Sequence, residues 1–204
     1  MEKHIIQIGA CGGKDHVTES LSRPLADTTI HLIEPLDNNF AKLQINYKNI
    51  AAINQVIFYK CAISTFTGKI PLYCQKNIRN PNNLDEHCSI SYDHLLAHGH
   101  QNNIEKIEAD CYTFNDFIDK FNINGIIDYL YIDTEGHDCD ILLSINFDNL
   151  DINNIFFEQA QSDGPFSKGR KLEQTISYLT SHNYTIKQNS GFDILFTKKY
   201  TQSQ

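Results

Sequence analysis

The stretch that most constrains the fold is residues 126–142, IIDYLYIDTEGHDCDIL. Ile127, Tyr129, Leu130, Tyr131 and Ile132 are β-branched, aromatic or aliphatic, as expected of a strand buried on both faces of a parallel sheet. Asp133, Glu135 and Gly136 then read as a sharp acidic turn, with Gly136 able to take the positive φ that such turns often need. Asp138 and Asp140 suit the positive N-terminal end of a following helix. In open α/β sheets the crevice outside the carboxyl ends of the strands is where ligands bind. Asp133 and Glu135 are therefore expected at that rim.

The rest of the chain repeats the alternation. Residues 4–9 predict a strand running into the small-residue turn GACGG, and Val17, Leu21 and Leu25 have the spacing of a helix that Pro24 is expected to end or kink. Residues 29–34 predict a second strand ending in Glu34 and stopped by Pro35. Asp37 is expected to cap a helix with Phe40, Leu43 and Tyr47 on its apolar face, before a third strand over residues 56–61. This β-α-β-α-β order implies a parallel sheet with right-handed crossovers. The pattern then breaks. A turn at residues 67–69 is expected to fold residues 70–73 back as a hairpin arm, and residues 75–93 form a long polar loop. Residues 104–109 predict a strand, and Thr113 with Asp116 an approximate capping box for a helix bearing Phe114, Phe117, Ile118 and Phe121. Residues 154–158 predict a strand again ending in a carboxylate, Glu158. Leu172, Ile176 and Leu179 mark a helix, and two last strands flank the hairpin signal Asn189, Ser190, Gly191. With no repeat or linker, residues 1–204 read as one domain.

Composition narrows the function classes. A net charge of -8 over 204 residues is a poor match for a phosphate backbone, so no nucleic-acid partner is expected; Lys168, Arg170 and Lys171 are the one basic hint. No apolar run approaches the ~20 residues of a membrane helix and the start does not read as a signal peptide, so a cytoplasmic protein without membrane contact is expected. Six cysteines without a C-x-x-C pair read as reduced thiols. His94 and His98, with His87, Cys88 and His100 nearby, suggest a metal site, but no second firm ligand pair supports it and none is expected.

A glycine turn after the first strand and an acid about 20 residues on is the nucleotide-site logic of doubly wound folds, and residues 9–13 with Glu34 meet it. Glu34 could accept both hydrogen bonds of a ribose diol, or simply end a solvated strand. The glycine spacing is not G-x-G-x-x-G, and no G-x-x-x-x-G-K-[ST] loop is present. Taken together, IGACGG (8–13), HLIEP (31–35), KCAIS (60–64) followed by Gly68, and YIDTEGH (131–137) resemble, in order and spacing, the FkbM-like S-adenosylmethionine-dependent methyltransferases. Leu179 before HNY (182–184) and FDILF (192–196) extend the resemblance over nearly the whole chain. It implies an α/β class I methyltransferase (Rossmann-like) fold: a three-layer sandwich around a mostly parallel seven-stranded sheet with an antiparallel C-terminal strand. It implies S-adenosylmethionine contacts from Gly9, Ala10, Cys11 and Gly13, from Glu34 and Pro35 at the ribose, from Cys61 and Ala62 near the adenine, and from Asp133. It also implies O-methylation of a small-molecule or glycan acceptor. One position departs: Gln7 stands where the family usually has Asp, and an amide can orient the turn but lacks the charge to pair with the cofactor's amino group. The chain also starts almost at its first strand, so the family's frequent N-terminal covering helix is expected to be missing or supplied otherwise.

Methyl transfer needs alignment and a deprotonated acceptor. Asp133 is placed for the sulfonium side or the acceptor, and Glu135 and His137 for positioning the acceptor. His137 has the pKa range of a general base, or is a helix N-terminal residue facing solvent. Glu158 belongs at the same rim, and residues 75–100 are expected to close over the acceptor. Two rivals stand beside this expectation: a catalytically idle cofactor- or partner-binding domain, and a dinucleotide-dependent oxidoreductase.

Overall fold

Strand-forming and helix-forming segments alternate through the computed structural model, which describes residues 2–75, 88–97, 99 and 104–200. The first half builds β1 (Lys3–Ile8), α1 (His16–Ser20), β2 (Thr28–Ile33), α2 (Asp37–Asn46), α3 (Lys48–Ala51) and β3 (Gln55–Tyr59). An excursion follows, with β4 (Ala62–Ile63), β5 (Gly68–Gln75), α4 (Tyr92–Ala97) and β6 (Ile104–Tyr112). The second half adds α5 (Phe114–Lys120), β7 (Ile126–Ile132), α6 (Asp138–Ser144), β8 (Asp151–Glu158), α7 (Arg170–Ser181), β9 (Tyr184–Asn189) and β10 (Asp193–Lys198). Seven strands form one sheet in the order β3-β2-β1-β7-β8-β10-β9. The pairs from β3 across to β8 are parallel, and β10 runs antiparallel to both its neighbours. The chain leaves β1 in one direction and returns beside it as β7, so the strand order reverses at that pair. Such a reversal opens a crevice at the strands' carboxyl ends.

Alternation along the strands separates two cores. On one face Ile6, Ile8, Ile33, Leu130, Ile132, Ile155 and Phe157 meet Phe114 and Phe117 of α5, Ile141 and Leu142 of α6, and Leu179 of α7. On the other face Ile5, Ile30 and Leu32 meet Val17 of α1, Leu43 of α2, Tyr47 and Ile50. The result is the expected three-layer sandwich. Asp128 is an extra residue in β7, since Ile127 and Tyr129 pair with the consecutive residues His4 and Ile5. This bulge resets the alternation, so that Ile127, Leu130 and Ile132 share one face while Tyr129 and Tyr131 turn to the other.

Several local expectations are corrected. Helix α1 stops at Ser20, so Leu25 packs from beyond it; Pro24 disfavours helical backbone at the residue before it. Asp37 is the first residue of α2 rather than its cap; Leu36 holds the cap position without a side-chain hydrogen bond, and Asp37 pairs with Lys60. Strand β5 does not fold back on its predecessor but pairs antiparallel with β6, which also pairs parallel with β4 in a separate three-stranded sheet. Helix α4 begins at Tyr92, where the stretch expected to be loop comes to its end. Cys74 and Cys88 form a disulfide, so reduced thiols are left to Cys11, Cys61, Cys111 and Cys139. Of the residues weighed as metal ligands, His94 bonds to Glu135 and Cys88 is in the disulfide, while His87, His98 and His100 lie outside the described residues. No helix among the described residues is long and apolar enough to cross a membrane.

One buried polar chain crosses the sheet between β1, β2 and β3. His4 Nε2 lies 2.9 Å from the Asn124 carbonyl, His4 Nδ1 lies 3.0 Å from His31 Nε2, and His31 Nδ1 lies 2.9 Å from the Tyr59 hydroxyl. The carbonyl can only accept, so His4 donates from Nε2, His31 donates to His4, and Tyr59 donates to His31. Burial, then the neighbouring His4, pushes the His31 pKa down to about 3.

Candidate active site

The floor of the crevice is built from two turns that touch. Gly9 sits at φ +77°, and a Cβ there would come within 1.9 Å of the Asp133 carbonyl oxygen, so only glycine permits this approach. The Asp133 N–H donates to Ile8 O at 3.0 Å, while Gly9 and Ala10 N–H groups both donate to Ile33 O. Three strand ends are thereby tied together beneath a cavity of about 420 Å³. Its lining includes Gly9, Cys11, Glu34, Pro35, Cys61, Ala62, Asp133, Glu135 and His137, all expected site residues drawn from separate parts of the sequence. Ala10 is fully buried, and Gly13 and Gln7 lie beneath the surface of the turn rather than on the cavity wall.

Glu34 anchors the β2 end. Its Oε2 accepts from the Cys11 N–H and its Oε1 from the Leu36 N–H, both at 2.9 Å. Burial raises its pKa to about 7, against the opposing pull of the Leu36, Cys11 and Asn39 hydrogen bonds. With Leu36, Cys11 and Asn39 each donating to it, the carboxylate keeps one of its four lone-pair sites for a ligand hydroxyl. Beyond it the wall turns apolar: Ala62 and Ile63 on one side, Ile70 and Leu72 of the small sheet on another, and Ile90 closing in from the segment held by the Cys74–Cys88 disulfide. Ser89 bridges to Tyr73 through paired backbone hydrogen bonds. An acid that can accept from a sugar hydroxyl, set beside an apolar slot, is a fit for a nucleoside.

The other end is acidic. Glu135 adopts φ +52°, a left-handed conformation rare for a residue with a side chain, and Gly136 follows at +93°. Strain of this kind gathers at functional turns. The turn is clasped from both sides: Asp138 Oδ2 accepts from the Thr134 N–H and hydroxyl, and Ser89 Oγ donates to Glu135 O at 3.0 Å. Glu135 Oε2 lies 3.1 Å from His94 Nε2 and accepts from Gln161 Nε2 at 3.2 Å. Gln161 also reaches Glu158. The Asp133 carboxylate has no hydrogen-bond partner among the described residues, and Asp133 is an exposed residue on the cavity wall. Burial, then the negative charges of Asp138, Glu135, Glu158 and Asp193, holds its pKa well above the usual carboxylate range. Burial and the same neighbours raise Glu158 to about 7, and burial raises Asp138 to about 6.

His137 lines the cavity, yet both its ring nitrogens are engaged. Nδ1 is 3.1 Å from Asp140 Oδ2, which also receives Lys171 Nζ at 2.8 Å, and Nε2 is 3.1 Å from Ser64 Oγ. Since the carboxylate can only accept, Nδ1 carries the proton and Nε2 accepts from the serine. His137 is therefore neither solvent-facing nor idle. Sequence reasoning missed Gln161 and Asp15, and weighed His94 only as a metal ligand. Asp15 had a signal, a helix-capping residue type two positions before Val17; Gln161 had none, because only the fold brings it, with His94, to Glu135.

A family model described as the methyltransferase FkbM domain matches residues 7–186. A comparison with curated protein sequences finds no match. Among solved structures, an O-methyltransferase from Bacillus cereus in complex with SAH is similar at 10% identity, over 96% of this chain and 74% of that one, with a TM-score of 0.46. The precorrin-6y C5,15-methyltransferase from Geobacter metallireducens is similar at 12% identity, over 98% and 82%, with a TM-score of 0.46. The fibrillarin pre-rRNA processing protein from Methanococcus jannaschii is similar at 11% identity, over 98% and 68%, with a TM-score of 0.48. With the seven-stranded topology, the expected residues gathered on one cavity, and a match over most of its length, this chain belongs to the FkbM methyltransferase family.

Proposed function

We propose that this methyltransferase uses S-adenosylmethionine and methylates a hydroxyl group on a sugar or other small metabolite. The observation that carries the reading is the Asp133 carboxylate, open to the cavity, lacking a hydrogen-bond partner among the described residues, and set directly beside the glycine turn. The residues fit the cofactor: Glu34 suits a ribose hydroxyl, the slot formed by Ala62, Ile63, Ile70 and Leu72 suits the adenine, and the acids at the β7 end suit a positive centre. When bound, S-adenosylmethionine supplies a methyl group on a positively charged sulfur.

The protein's own part is alignment and proton removal. A carboxylate whose pKa lies near working pH is better matched to taking a hydroxyl proton than an ordinary one. Asp133 and Glu158 are both shifted in that direction. We place the base at Asp133, with Glu158 as the rim acid that repels anionic acceptors. Glu135, fixed by His94 and Gln161, orients the acceptor. His137 holds Ser64 and the wall beside the cavity instead of meeting the acceptor. The acidic rim favours a neutral polyhydroxylated acceptor over nucleic acid.

Calorimetric titration with S-adenosylhomocysteine tests the cofactor half, with saturable heat expected. No heat and no thermal shift at millimolar ligand would sink the reading. A panel of hydroxylated acceptors, sugars included, followed by mass spectrometry for one added methyl, tests the rest. Cofactor binding without transfer to any acceptor would favour the idle-domain alternative.

A further inference from the structure

We propose that Asp15, held in place by Gln7, is the partner of the cofactor's α-ammonium group, an assignment that rests on the S-adenosylmethionine reading above. The order of the sheet sets the geometry. The ends of β3, β2 and β1 lie side by side along the cavity, carrying Cys61 and Ala62, then Glu34, then the glycine turn. A nucleoside seated on the first two directs its amino-acid tail at the third. Lys14 and Asp15 line the cavity there, one charge of each sign, which is the pattern a zwitterionic tail requires.

Asp15 is held more firmly than helix capping needs. Its Oδ1 accepts from the Thr18 N–H at 2.9 Å and from Thr18 Oγ1 at 3.0 Å. Its Oδ2 accepts from Gln7 Nε2 at 2.7 Å and keeps a lone pair for a further donor. Gln7 itself is 3% exposed, and its Oε1 has no partner among the described residues. A buried amide with its carbonyl unsatisfied is a poor core filler; an apolar side chain of similar size would serve packing better. The one hydrogen bond its side chain makes among the described residues runs to Asp15, so Gln7 is a positioning residue for a carboxylate on the cavity wall. The charge that an amide cannot supply at position 7 is thus delivered by a residue eight positions on.

Two ligands separate this role from a structural one. S-adenosylhomocysteine carries the amino-acid tail, and 5′-methylthioadenosine keeps the nucleoside without it. In Asp15→Asn the cap is retained, since Asn caps helices as well as Asp. Its dissociation constant for S-adenosylhomocysteine should rise about 10- to 100-fold, the range spanned by hydrogen bonds to charged groups, while that for methylthioadenosine stays put. Gln7→Met should weaken S-adenosylhomocysteine selectively too, with a melting temperature no lower than wild type. Unchanged S-adenosylhomocysteine affinity in Asp15→Asn, or equal weakening of both ligands, overturns the assignment. Wild-type protein that binds neither ligand removes the cofactor reading itself, and this assignment with it.

Discussion

The histidine chain between β1, β2 and β3 and the acidic turn after β7 are both polar systems set into the protein, and they are resolved in opposite ways. In the first, each ring nitrogen of His4 and His31 has a partner, and the tautomers follow from the fixed Asn124 carbonyl. In the second, Asp133, Glu135, Asp138 and Glu158 crowd one another, and Asp133 has no hydrogen-bond donor among the described residues. A polar group that serves the fold is completed within the chain, whereas one that serves a ligand is left incomplete at the protein's own expense.

The sharpest way to break that contrast is to exchange the expected phenotypes. Asp133→Asn should lower the methyl-transfer rate by about 100- to 10,000-fold, the range of a lost general base, with an unfolding midpoint equal to or above wild type. Near-wild-type turnover would remove Asp133 from the chemistry. His31→Phe should do the reverse, leaving turnover per folded molecule intact and stability lower by about 3 kcal/mol, because His4 and Tyr59 lose their shared partner. Its pH signature is also distinctive. The folded pKa of about 3 lies below the ordinary 6.5, so between those values the unfolded chain binds a proton that the native state refuses. Stability from this group is therefore lost as pH falls. Urea titrations at pH 7 and pH 5 should show wild type losing about 2 kcal/mol more than His31→Phe.

Reduction of the Cys74–Cys88 disulfide, whose cysteines are 14 positions apart, should lower stability by at most about 3 kcal/mol. Its effect should fall on the acidic side, because residues 88–94 carry Ser89 and His94 to Glu135. Comparing hydrogen exchange at residues 133–138 and at β2 with and without reductant checks this. Equal loosening at both would contradict it. The smallest expected effect belongs to Glu158→Gln. The Glu158 pKa is raised from 4.5 to about 7, so the native state favours the protonated form and loses stability as pH rises through that window. Discounted for its partial exposure, the substitution should add about 1 kcal/mol at pH 8 and nothing below pH 4.

Much of this was legible in the sequence, for identifiable reasons. β7 and its acidic turn announce themselves because a doubly buried strand must be apolar and its exit must be tight. The faces of the main helices follow from periodicity. The small sheet was not legible: β5 pairs with β6 across the 28 residues 76–103, and local spacing favoured a hairpin. The disulfide was missed because composition speaks of compartment and not of which two β carbons meet. At the site, Glu34 and Asp133 were visible as strand-end acids. The occupation of both His137 nitrogens was not, since Ser64 lies 73 positions away.

The contact between Gly9 and Asp133 bears on how such an enzyme can be altered. With backbone meeting backbone there, neither turn can be rebuilt without disturbing the other, so substitutions in either should be poorly tolerated whatever the substrate. The Glu135 carboxylate, by contrast, is held by two other side chains, His94 and Gln161. A laboratory seeking a new acceptor should diversify those upper positions and leave the floor untouched. Among natural relatives, the same division would let acceptors diverge while the floor stays as it is.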